Sequence, residues 1–256
     1  MTSITAECIS YSYGEETVFS DVSLKFEKPE LVCILGPNGV GKTTLVKCFT
    51  KILKVADGKV MVNGLDIKDY GLLDLAKIMA FVPNSSSSVF SMTVSEAVMM
   101  GRHPHAGWVT SDRDMDVVDQ MMHTLELQDF AERDIRELSA GQFQRVAIAR
   151  GLVQEPKILI MDEPTSNLDV RNQMDVMKFL KDYAKKTETM VLMVSHDLNI
   201  TASFADRIIL MAEGGVYADG TAYDVLTEDN IRDVYKVESK IIDVDGRPHV
   251  ILLPGR

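Results

Sequence analysis

Short apolar runs of strand length recur along the chain and predict buried strands. They lie at residues 31–35, 78–82, 158–161 and 190–194. Strands that are apolar at every position are typical of α/β proteins, in which helices cover both faces of a sheet. One such helix is predicted at residues 170–185. The pattern therefore predicts an α/β fold.

A different pattern occurs near both ends of the chain. Residues 4–26 alternate in the manner of half-buried strands around a turn at Gly14, and they predict an antiparallel sheet in front of the α/β core. Residues 59–64 predict a strand that enters an Asn-Gly hairpin turn. The runs 240–244 and 249–253 predict a closing hairpin, so we place a C-terminal hairpin extension at about residues 236–256.

After Asn84 the sequence changes from strand-like apolar runs to a polar run followed by predicted helices. Ser85–Ser88 is a short flexible polar run, and two capping boxes follow, at Thr93–Glu96 and Ser111–Asp114, each of which predicts a helix start. A long stretch of helix between two strands of an α/β core predicts a separate helical subdomain. We place it at about residues 86–150.

Composition and charge narrow the class of protein. The 256 residues carry a formal net charge of −11, which disfavours unspecific binding to nucleic acid or anionic lipid, although a local basic patch remains compatible with it. No apolar run is long enough to span a membrane, and no secretory signal is evident. The cysteines are too few and too widely spaced for a disulfide framework or a metal site, so we expect three buried or half-buried thiols: Cys8, Cys33 and Cys48.

The segment Gly36–Thr43 fits the phosphate-binding pattern G-x-x-x-x-G-K-[ST], between a predicted strand and a predicted helix. Its glycines let backbone N–H groups converge on phosphate, and the helix N-terminus adds partial positive charge. Lys42 can neutralise phosphate, and the Thr43 hydroxyl can ligate Mg²⁺. The alternative is a glycine-rich turn without a ligand. We predict ATP binding by Gly36, Pro37, Asn38, Gly39, Gly41, Lys42, Thr43 and Thr44.

A second anion site is predicted at residues 138–142, the sequence Leu-Ser-Ala-Gly-Gln. Ser139 and Gln142 form a capping box, so backbone N–H groups and a hydroxyl are exposed at a helix N-terminus. Read alone, without the phosphate loop, the segment would be a well-capped helix that binds nothing.

Two carboxylates end the strand predicted at 158–163. Because neighbouring residues of a strand point to opposite sides, Asp162 and Glu163 are expected to have different roles. We assign Asp162 to Mg²⁺ and Glu163 to the base that takes a proton from water. His196 follows the next strand, at the edge where α/β sheets bind ligands, and we assign it to the γ-phosphate. The alternatives are solvent-exposed carboxylates and a structural histidine.

These motifs, in this order, resemble the ATP-binding subunit of an ABC transporter over essentially the whole chain. The matching elements are the Walker A loop 36–44, the signature 138–142, the Walker B strand 158–163, the D-loop 166–169 and the switch histidine His196. The resemblance implies an α/β fold with a P-loop NTPase core of the ABC ATPase type, an N-terminal antiparallel β subdomain and an inserted helical subdomain. It implies one ATP-binding domain, residues 1–256, that hydrolyses ATP to ADP and phosphate with Mg²⁺.

The resemblance also implies roles that the residues alone leave open. Tyr13, rather than Tyr11, takes the position of the aromatic residue that stacks on adenine. Ser139 and Gly141 complete the phosphate site of a second copy, so that ATP bridges a head-to-tail homodimer. The other residues assigned to ATP are Gln142 and Asp169. The implied partners are two transmembrane permease subunits and, indirectly, a substrate-binding protein, with this chain peripheral on the cytoplasmic side of the membrane.

Two positions depart from the pattern of the family. The usual Gly-Gly of the signature is Ala140-Gly141, which adds one methyl group at a close phosphate contact. Asn84 stands at the position of the Q-loop glutamine, which links the metal site to the membrane partner. Its amide is the same but its side chain is one methylene shorter, so we expect Asn84 to serve catalysis and the metal through a bridging water.

Three segments resemble importers of ferric siderophores, haem and cobalamin, namely 93–105, 168–173 and 246–249. A non-transport ABC ATPase of DNA repair or translation is one alternative, but such proteins usually have a long coiled-coil insertion, zinc cysteines or two cassettes, and this sequence has none of these. A P-loop kinase is another, but it would leave residues 138–142 without a purpose. We therefore expect an importer ATPase with no nucleic-acid partner.

Overall fold

The computed structural model describes residues 2–84, 90–105, 110–166 and 168–254. The polar run predicted at Ser85–Ser88 lies outside these residues, as do Asn167 of the D-loop and the last two residues of the predicted C-terminal extension. The first residues of the predicted helical subdomain, 86–89, lie outside them as well.

The described residues form strands, α-helices and short 3-10 turns. The strands are β1 Ile4–Tyr13, β2 Glu16–Phe26, β3 Leu31–Leu35, β4 Asp57–Val62, β5 Leu65–Asp66, β6 Met79–Val82, β7 Ile158–Asp162, β8 Met190–Val194, β9 Arg207–Ala212, β10 Gly215–Gly220, β11 Ser239–Val244 and β12 Arg247–Leu252. The helices are α1 Lys42–Phe49, α2 Leu72–Ala76, α3 Val94–Met99, α4 Asp112–Thr124, α5 Ala140–Leu152, α6 Val170–Thr187, α7 Leu198–Phe204, α8 Ala222–Val225 and α9 Glu228–Tyr235. Short 3-10 turns lie at Ile67–Asp69, Met100–Arg102, Gln128–Phe130 and Ile135–Glu137.

The central sheet has six strands in the order β10-β9-β3-β8-β7-β6, and its pairs are parallel except for β10 with β9. Alternate residues of β3 pack on opposite faces: Leu31 and Cys33 in one apolar cluster, Val32 and Ile34 in the other. Every residue of β3 is buried, because helices or the second sheet cover each face. The predicted α/β class is confirmed.

The second sheet is antiparallel, in the order β2-β1-β4-β5, and confirms the predicted N-terminal sheet. Its residues Ile4 and Phe26 pack in the same cluster as Phe49 of α1, so this sheet supports the helix that follows the phosphate loop. Cys8 corrects one expectation, because it is exposed rather than buried. It lies at a register shift of β1 with φ of 47°, and such a bulge turns a side chain out of the strand's alternation.

The predicted helical insertion is present between β6 and β7, where α3, α4 and α5 lie. Thr93, Ser111 and Ser139 each form the capping box that the sequence predicts. A buried ion pair holds the insertion together, because Arg102 Nε donates to Asp114 Oδ1 at 2.8 Å. Hydrogen bonds from Ser111 and Arg102 keep the pKa of Asp114 well below its ordinary value.

The C-terminal strands β11 and β12 form the predicted hairpin. This hairpin packs against α7, where Asn199 Nδ2 donates to the Val250 carbonyl at 3.1 Å and the Val250 N–H donates to Asn199 Oδ1 at 2.7 Å. Asn199 therefore ties the hairpin to the helix that follows His196. Among the described residues, no helix combines the length and the apolar character that a membrane crossing requires.

Candidate functional site

The phosphate loop joins the end of β3 to the start of α1. At two of its glycines, the neighbouring atoms leave no room for a side chain. A Cβ on Gly36 would lie 2.4 Å from the Met211 carbonyl oxygen of the neighbouring strand. Gly41 precedes α1 with φ of 95°, and a Cβ there would lie 2.6 Å from Val18 Cγ1. A side chain at either position would displace the loop, so glycine is what allows the loop to pack this closely.

Lys42 lies inside the loop and is 5% exposed. Its Nζ donates to the Gly36 carbonyl at 2.8 Å and to the Pro37 carbonyl at 2.7 Å. Burial lowers the pKa of Lys42, while the nearby carboxylates of Glu163 and Asp162 oppose that change. The ammonium group is thus held at the floor of the loop, where it can face an anion.

Thr43 and Asp162 meet beside the loop, where the Thr43 hydroxyl donates to Asp162 Oδ1 at 2.8 Å. Burial raises the pKa of Asp162 and the Thr43 hydrogen bond opposes this change. A hydroxyl and a carboxylate side by side are hard oxygen donors, which is the donor set that Mg²⁺ takes together with phosphate oxygens. The two residues therefore fit a magnesium ion bound to a nucleotide.

Glu163 lies one residue beyond β7, so the expectation that it ends the strand is wrong. Its φ of 51° is in the left-handed region, and a backbone turn, rather than strand alternation, separates its carboxylate from that of Asp162. Ser166 holds this turn, because its backbone N–H and its hydroxyl both donate to the Glu163 carbonyl, at 3.3 and 3.1 Å.

The carboxylate of Glu163 contacts two polar side chains from other parts of the chain. Asn84 Nδ2 donates to Glu163 Oε2 at 3.0 Å, and His196 Nε2 lies at hydrogen-bonding distance from Oε1. The structure thereby brings together all three residues that the sequence assigned to catalysis. The amide of Asn84 reaches Glu163, whereas Thr43 and Asp162 contact each other.

A cleft of about 280 Å³ opens above the phosphate loop. Tyr13 lies at its edge and is 55% exposed, while Tyr11 packs against Phe19 with ring centroids 6.4 Å apart. Sequence reasoning missed Glu16 and Val18, which also line the cleft. The feature of the sequence that could have indicated these two residues is their position just after the Gly14 turn. The predicted residues in its lining are Tyr13, Asn38, Gly39, Gly41, Lys42, Thr43, Thr44, Glu163 and His196.

The signature residues are not brought to this cleft. Ser139, Gly141 and Gln142 line a separate cavity of about 620 Å³ at the start of α5. Ser139 Oγ accepts from the Gln142 N–H at 3.3 Å, and Gln142 Oε1 accepts from the Ser139 N–H at 3.0 Å. Asp169 is also elsewhere, since its side chain caps α6 by accepting from the Asn172 N–H. Within one chain, the predicted ATP residues therefore form two groups.

Comparison with known proteins identifies the family to which this chain belongs. The family model described as "ABC transporter" matches residues 19–166, more than half of the chain. The chain belongs to the ABC transporter family. It is 40% identical over 248 residues, 97% of each chain, to an uncharacterised ABC transporter ATP-binding protein of Methanocaldococcus jannaschii.

The names of two relatives of this ABC subunit state what is imported. An iron(3+)-hydroxamate import ATP-binding protein of Bacillus subtilis is 34% identical over 94% of this chain and 91% of its own. A hemin import ATP-binding protein of Escherichia coli O157:H7 is 36% identical over 93% of this chain and 94% of its own.

Solved structures agree with this assignment. A metal-chelate type ABC transporter in an inward-facing conformation superposes with a TM-score of 0.85 at 27% identity, covering 99% of this chain and 98% of that one. An ABC transporter cassette solved as a dimer superposes with a TM-score of 0.77 at 29% identity, covering 86% of this chain and 98% of that one. The ABC subunit described here is thus an ATP-binding ATPase cassette.

Proposed function

We propose that this ABC subunit powers the import of an iron complex, a siderophore or haem, or of cobalamin. The observation that carries the proposal is the near full-length similarity to relatives named for hydroxamate and hemin import. The three importer-like segments of the sequence, 93–105, 168–173 and 246–249, point in the same direction. The transported molecule does not touch this chain, which supplies the energy for its movement.

In the proposed site, the loop residues and Lys42 bind the phosphates of ATP. Gly41 and Thr43 at the start of α1 line the cleft, and a helix N-terminus attracts anions, while Lys42 adds a positive charge at the floor of the cleft. Tyr13 stacks on the adenine ring, which its exposed position at the edge of the cleft allows, whereas Tyr11 is occupied by packing inside the sheet.

Thr43 and Asp162 are the residues that would hold Mg²⁺. When bound, the ion neutralises charge that develops on the phosphate oxygens. Asp162 contributes its carboxylate from the end of β7, and Thr43 contributes its hydroxyl from the first turn of α1. The hydrogen bond between them fixes both oxygens in advance.

Glu163 is proposed to accept the proton of the attacking water. Its contacts with Asn84 and His196 orient the carboxylate, one on each oxygen. His196 also lies in the lining of the cleft, and we assign it to the γ-phosphate. Asn84 is proposed to reach the metal through water and, by its N–H on Oε2, to position the base.

The two groups of ATP residues are explained if two copies close head to tail. Ser139, Gly141 and Gln142 of one copy would then face the phosphates in the cleft of the other, with Asp169 nearby. The start of α5 is a helix N-terminus, and the partial positive charge of such a terminus suits this role. ATP would bridge the two chains, and its hydrolysis would separate them.

We propose that two transmembrane permease subunits dock on the face that carries α2 and the 3-10 turn Met100–Arg102. Leu72, Leu73 and Met100 are exposed apolar residues there, 74%, 55% and 56% exposed. Gln154 connects these elements, since its side chain contacts the Ala76 carbonyl and its own carbonyl contacts His105. The chain would lie peripherally on the cytoplasmic side of the membrane, with a substrate-binding protein as an indirect partner and no nucleic acid.

Uptake by cells tests the import proposal. Cells that lack this chain are compared with cells that carry the wild type or the inactive Lys42→Ala variant. Radiolabelled ferric hydroxamate, haem and cobalamin are supplied separately, and uptake of one of them is expected to need the wild-type chain. Normal uptake of all three without the chain, or energised efflux that depends on it, would contradict the proposed direction and substrate class.

Replacement of Asn84 tests how it acts. Asn84→Gln lengthens the amide and is expected to leave ATP turnover within about 2-fold of wild type or above it. Asn84→Ala removes the donor to Glu163 and is expected to lower kcat about 5- to 20-fold with little change in KM. Steady-state ATPase kinetics measure both.

Asn84→Asp is the matched control, because it keeps the size but places a second carboxylate beside Glu163. We expect it to lose at least as much activity as Asn84→Ala. A tenfold loss with Asn84→Gln would show that the site requires the shorter side chain, and the proposed water bridge would then be wrong.

A further inference from the structure

The hydroxyl of Tyr235 is a buried polar group that the proposed site does not use. Tyr235 is the last residue of α9. Its oxygen is buried and completes no hydrogen bond with any group in the described part of the chain. A buried hydroxyl without a full hydrogen bond lowers the stability of a protein, so phenylalanine would suit this position better if packing alone decided it.

The side chain of Tyr235 reaches the first glycine of the phosphate loop. Burial raises the pKa of Tyr235 to about 12, and the Gly36 N–H, which faces the hydroxyl oxygen, opposes this rise. The ring packs against the apolar cluster that also contains Leu35, the last residue of β3. The C-terminal region therefore approaches the loop where the loop leaves the central sheet.

The backbone of Gly36 is already held on its other side. Lys42 Nζ donates to the Gly36 carbonyl at 2.8 Å, which restricts the peptide group after this glycine. A bond to the Gly36 N–H restricts the peptide group before it. The φ and ψ of Gly36 are the only soft rotations between these two planar groups, and φ is 149°. Because glycine has more backbone freedom than any other residue, both contacts are needed to fix the start of the loop.

The helix that carries Tyr235 is itself well fixed. Ile231 and Val234 of α9 are buried in the apolar core. Glu228 Oε1, at the start of the same helix, accepts from the Ile241 N–H of β11 at 3.3 Å. A hydroxyl on a fixed support loses little freedom of its own when it forms a bond, so it is suited to hold a more flexible loop.

We propose that Tyr235 is a positioning residue for nucleotide binding, whose hydroxyl accepts from the Gly36 N–H when the loop holds phosphate. The inference rests on the proposed binding of phosphate by residues 36–43 and is independent of the transported molecule. The bond stabilises the nucleotide-bound conformation of the loop and so raises the affinity for nucleotide. The family model matches residues 19–166, so this contribution comes from a part of the chain beyond that match.

Tyr235→Phe tests the proposal, because it removes the hydroxyl and keeps the ring. Calorimetric titration with ADP and Mg²⁺ measures binding without hydrolysis. The Kd is expected to rise about 3- to 10-fold, which corresponds to the loss of one hydrogen bond. In steady-state ATPase assays, the KM for ATP is expected to rise by a similar factor while kcat stays within about 2-fold of wild type.

Thermal unfolding separates a positioning role from a structural one. The melting temperature of Tyr235→Phe is expected to equal that of wild type or exceed it, because the variant no longer buries an incompletely bonded hydroxyl. Tyr183→Phe is the matched control. Tyr183 is also half-buried, and burial raises its pKa as well, but it lies on α6 and does not line the cleft. Its loss is expected to leave the Kd for ADP within about 2-fold of wild type.

Three outcomes would overturn the positioning role of Tyr235. The first is a Tyr235→Phe variant with the wild-type Kd for ADP and the wild-type KM for ATP. The second is a weaker affinity together with a lower melting temperature, since a general loss of structure would then account for both. The third is an equal loss of affinity in Tyr183→Phe, which would show that the effect is not specific to the contact with Gly36.

Lys42→Ala, in the same titration with ADP, tests the loop itself. If Lys42→Ala loses affinity while Tyr235→Phe keeps it, the loop binds phosphate and only the inference about Tyr235 fails. If Lys42→Ala binds ADP as wild type does, the assignment of the phosphate loop is wrong, and the inference about Tyr235 fails with it.

Discussion

Replacement of Glu163 by Gln is expected to slow ATP hydrolysis by about 100-fold or more while ATP still binds. Gln has nearly the same size and keeps an oxygen that can accept from Asn84, but it has no charge with which to take a proton from water. Because Glu163 lies outside the Thr43 and Asp162 pair, the residues that hold the phosphates and Mg²⁺ are unchanged. ATP is therefore retained with its γ-phosphate.

Retained ATP should hold two copies of the Glu163→Gln variant together. Light scattering or size-exclusion chromatography with ATP and Mg²⁺ is expected to show a dimer, and the same variant with ADP a monomer. Adding Ser139→Arg places a large side chain at the start of α5 and is expected to abolish the dimer. ATP binding to each monomer through Lys42 should remain, because Ser139 does not line the cleft.

Each result tests a different part of the proposed mechanism. A Glu163→Gln variant that hydrolyses ATP at the normal rate would show that Glu163 is not the base. One that stays monomeric at saturating ATP would exclude the contact between the signature of one copy and the ATP of the other. A dimer that survives Ser139→Arg would place the interface elsewhere.

Lys42→Ala is expected to remove tight ATP binding, with an affinity loss of about 100-fold or more and no measurable turnover. The ammonium group is the positive charge at the floor of the cleft, and charge-assisted hydrogen bonds to phosphate are the strong ones. Nucleotide titration and an ATPase assay measure the two losses.

The fold should tolerate the loss of the Lys42 side chain. Glycine geometry and the apolar packing of α1 shape the loop, and Lys42 Nζ contributes only its bonds to the Gly36 and Pro37 carbonyls. Circular dichroism is expected to match wild type. The control is Lys54→Ala, an exposed lysine shortly after α1, which should bind ATP normally. Full ATPase activity in Lys42→Ala would remove the phosphate-binding assignment.

Features encoded by neighbouring residues were predictable from the sequence. The buried strands follow from unbroken apolar runs, and the helix starts at Thr93, Ser111 and Ser139 follow from capping residues three positions apart. The phosphate loop follows from the spacing of glycine and lysine within eight residues, Gly36–Thr43. In each case the interacting groups lie within one or two turns of backbone, so local geometry is sufficient.

Features that join distant parts of the chain were decided only by the tertiary structure. The contact of Asn84 with Glu163 spans 79 positions, and that of His196 with Glu163 spans 33, so no local pattern determines which oxygen each reaches. The Arg145 bond to Asn172 was not predicted for the same reason. The sequence by itself determined the elements and the candidate residues, because these depend on propensity, periodicity and short motifs. Packing of the sheet against its helices determined which side chains meet, because that depends on the relative position of elements far apart in the chain.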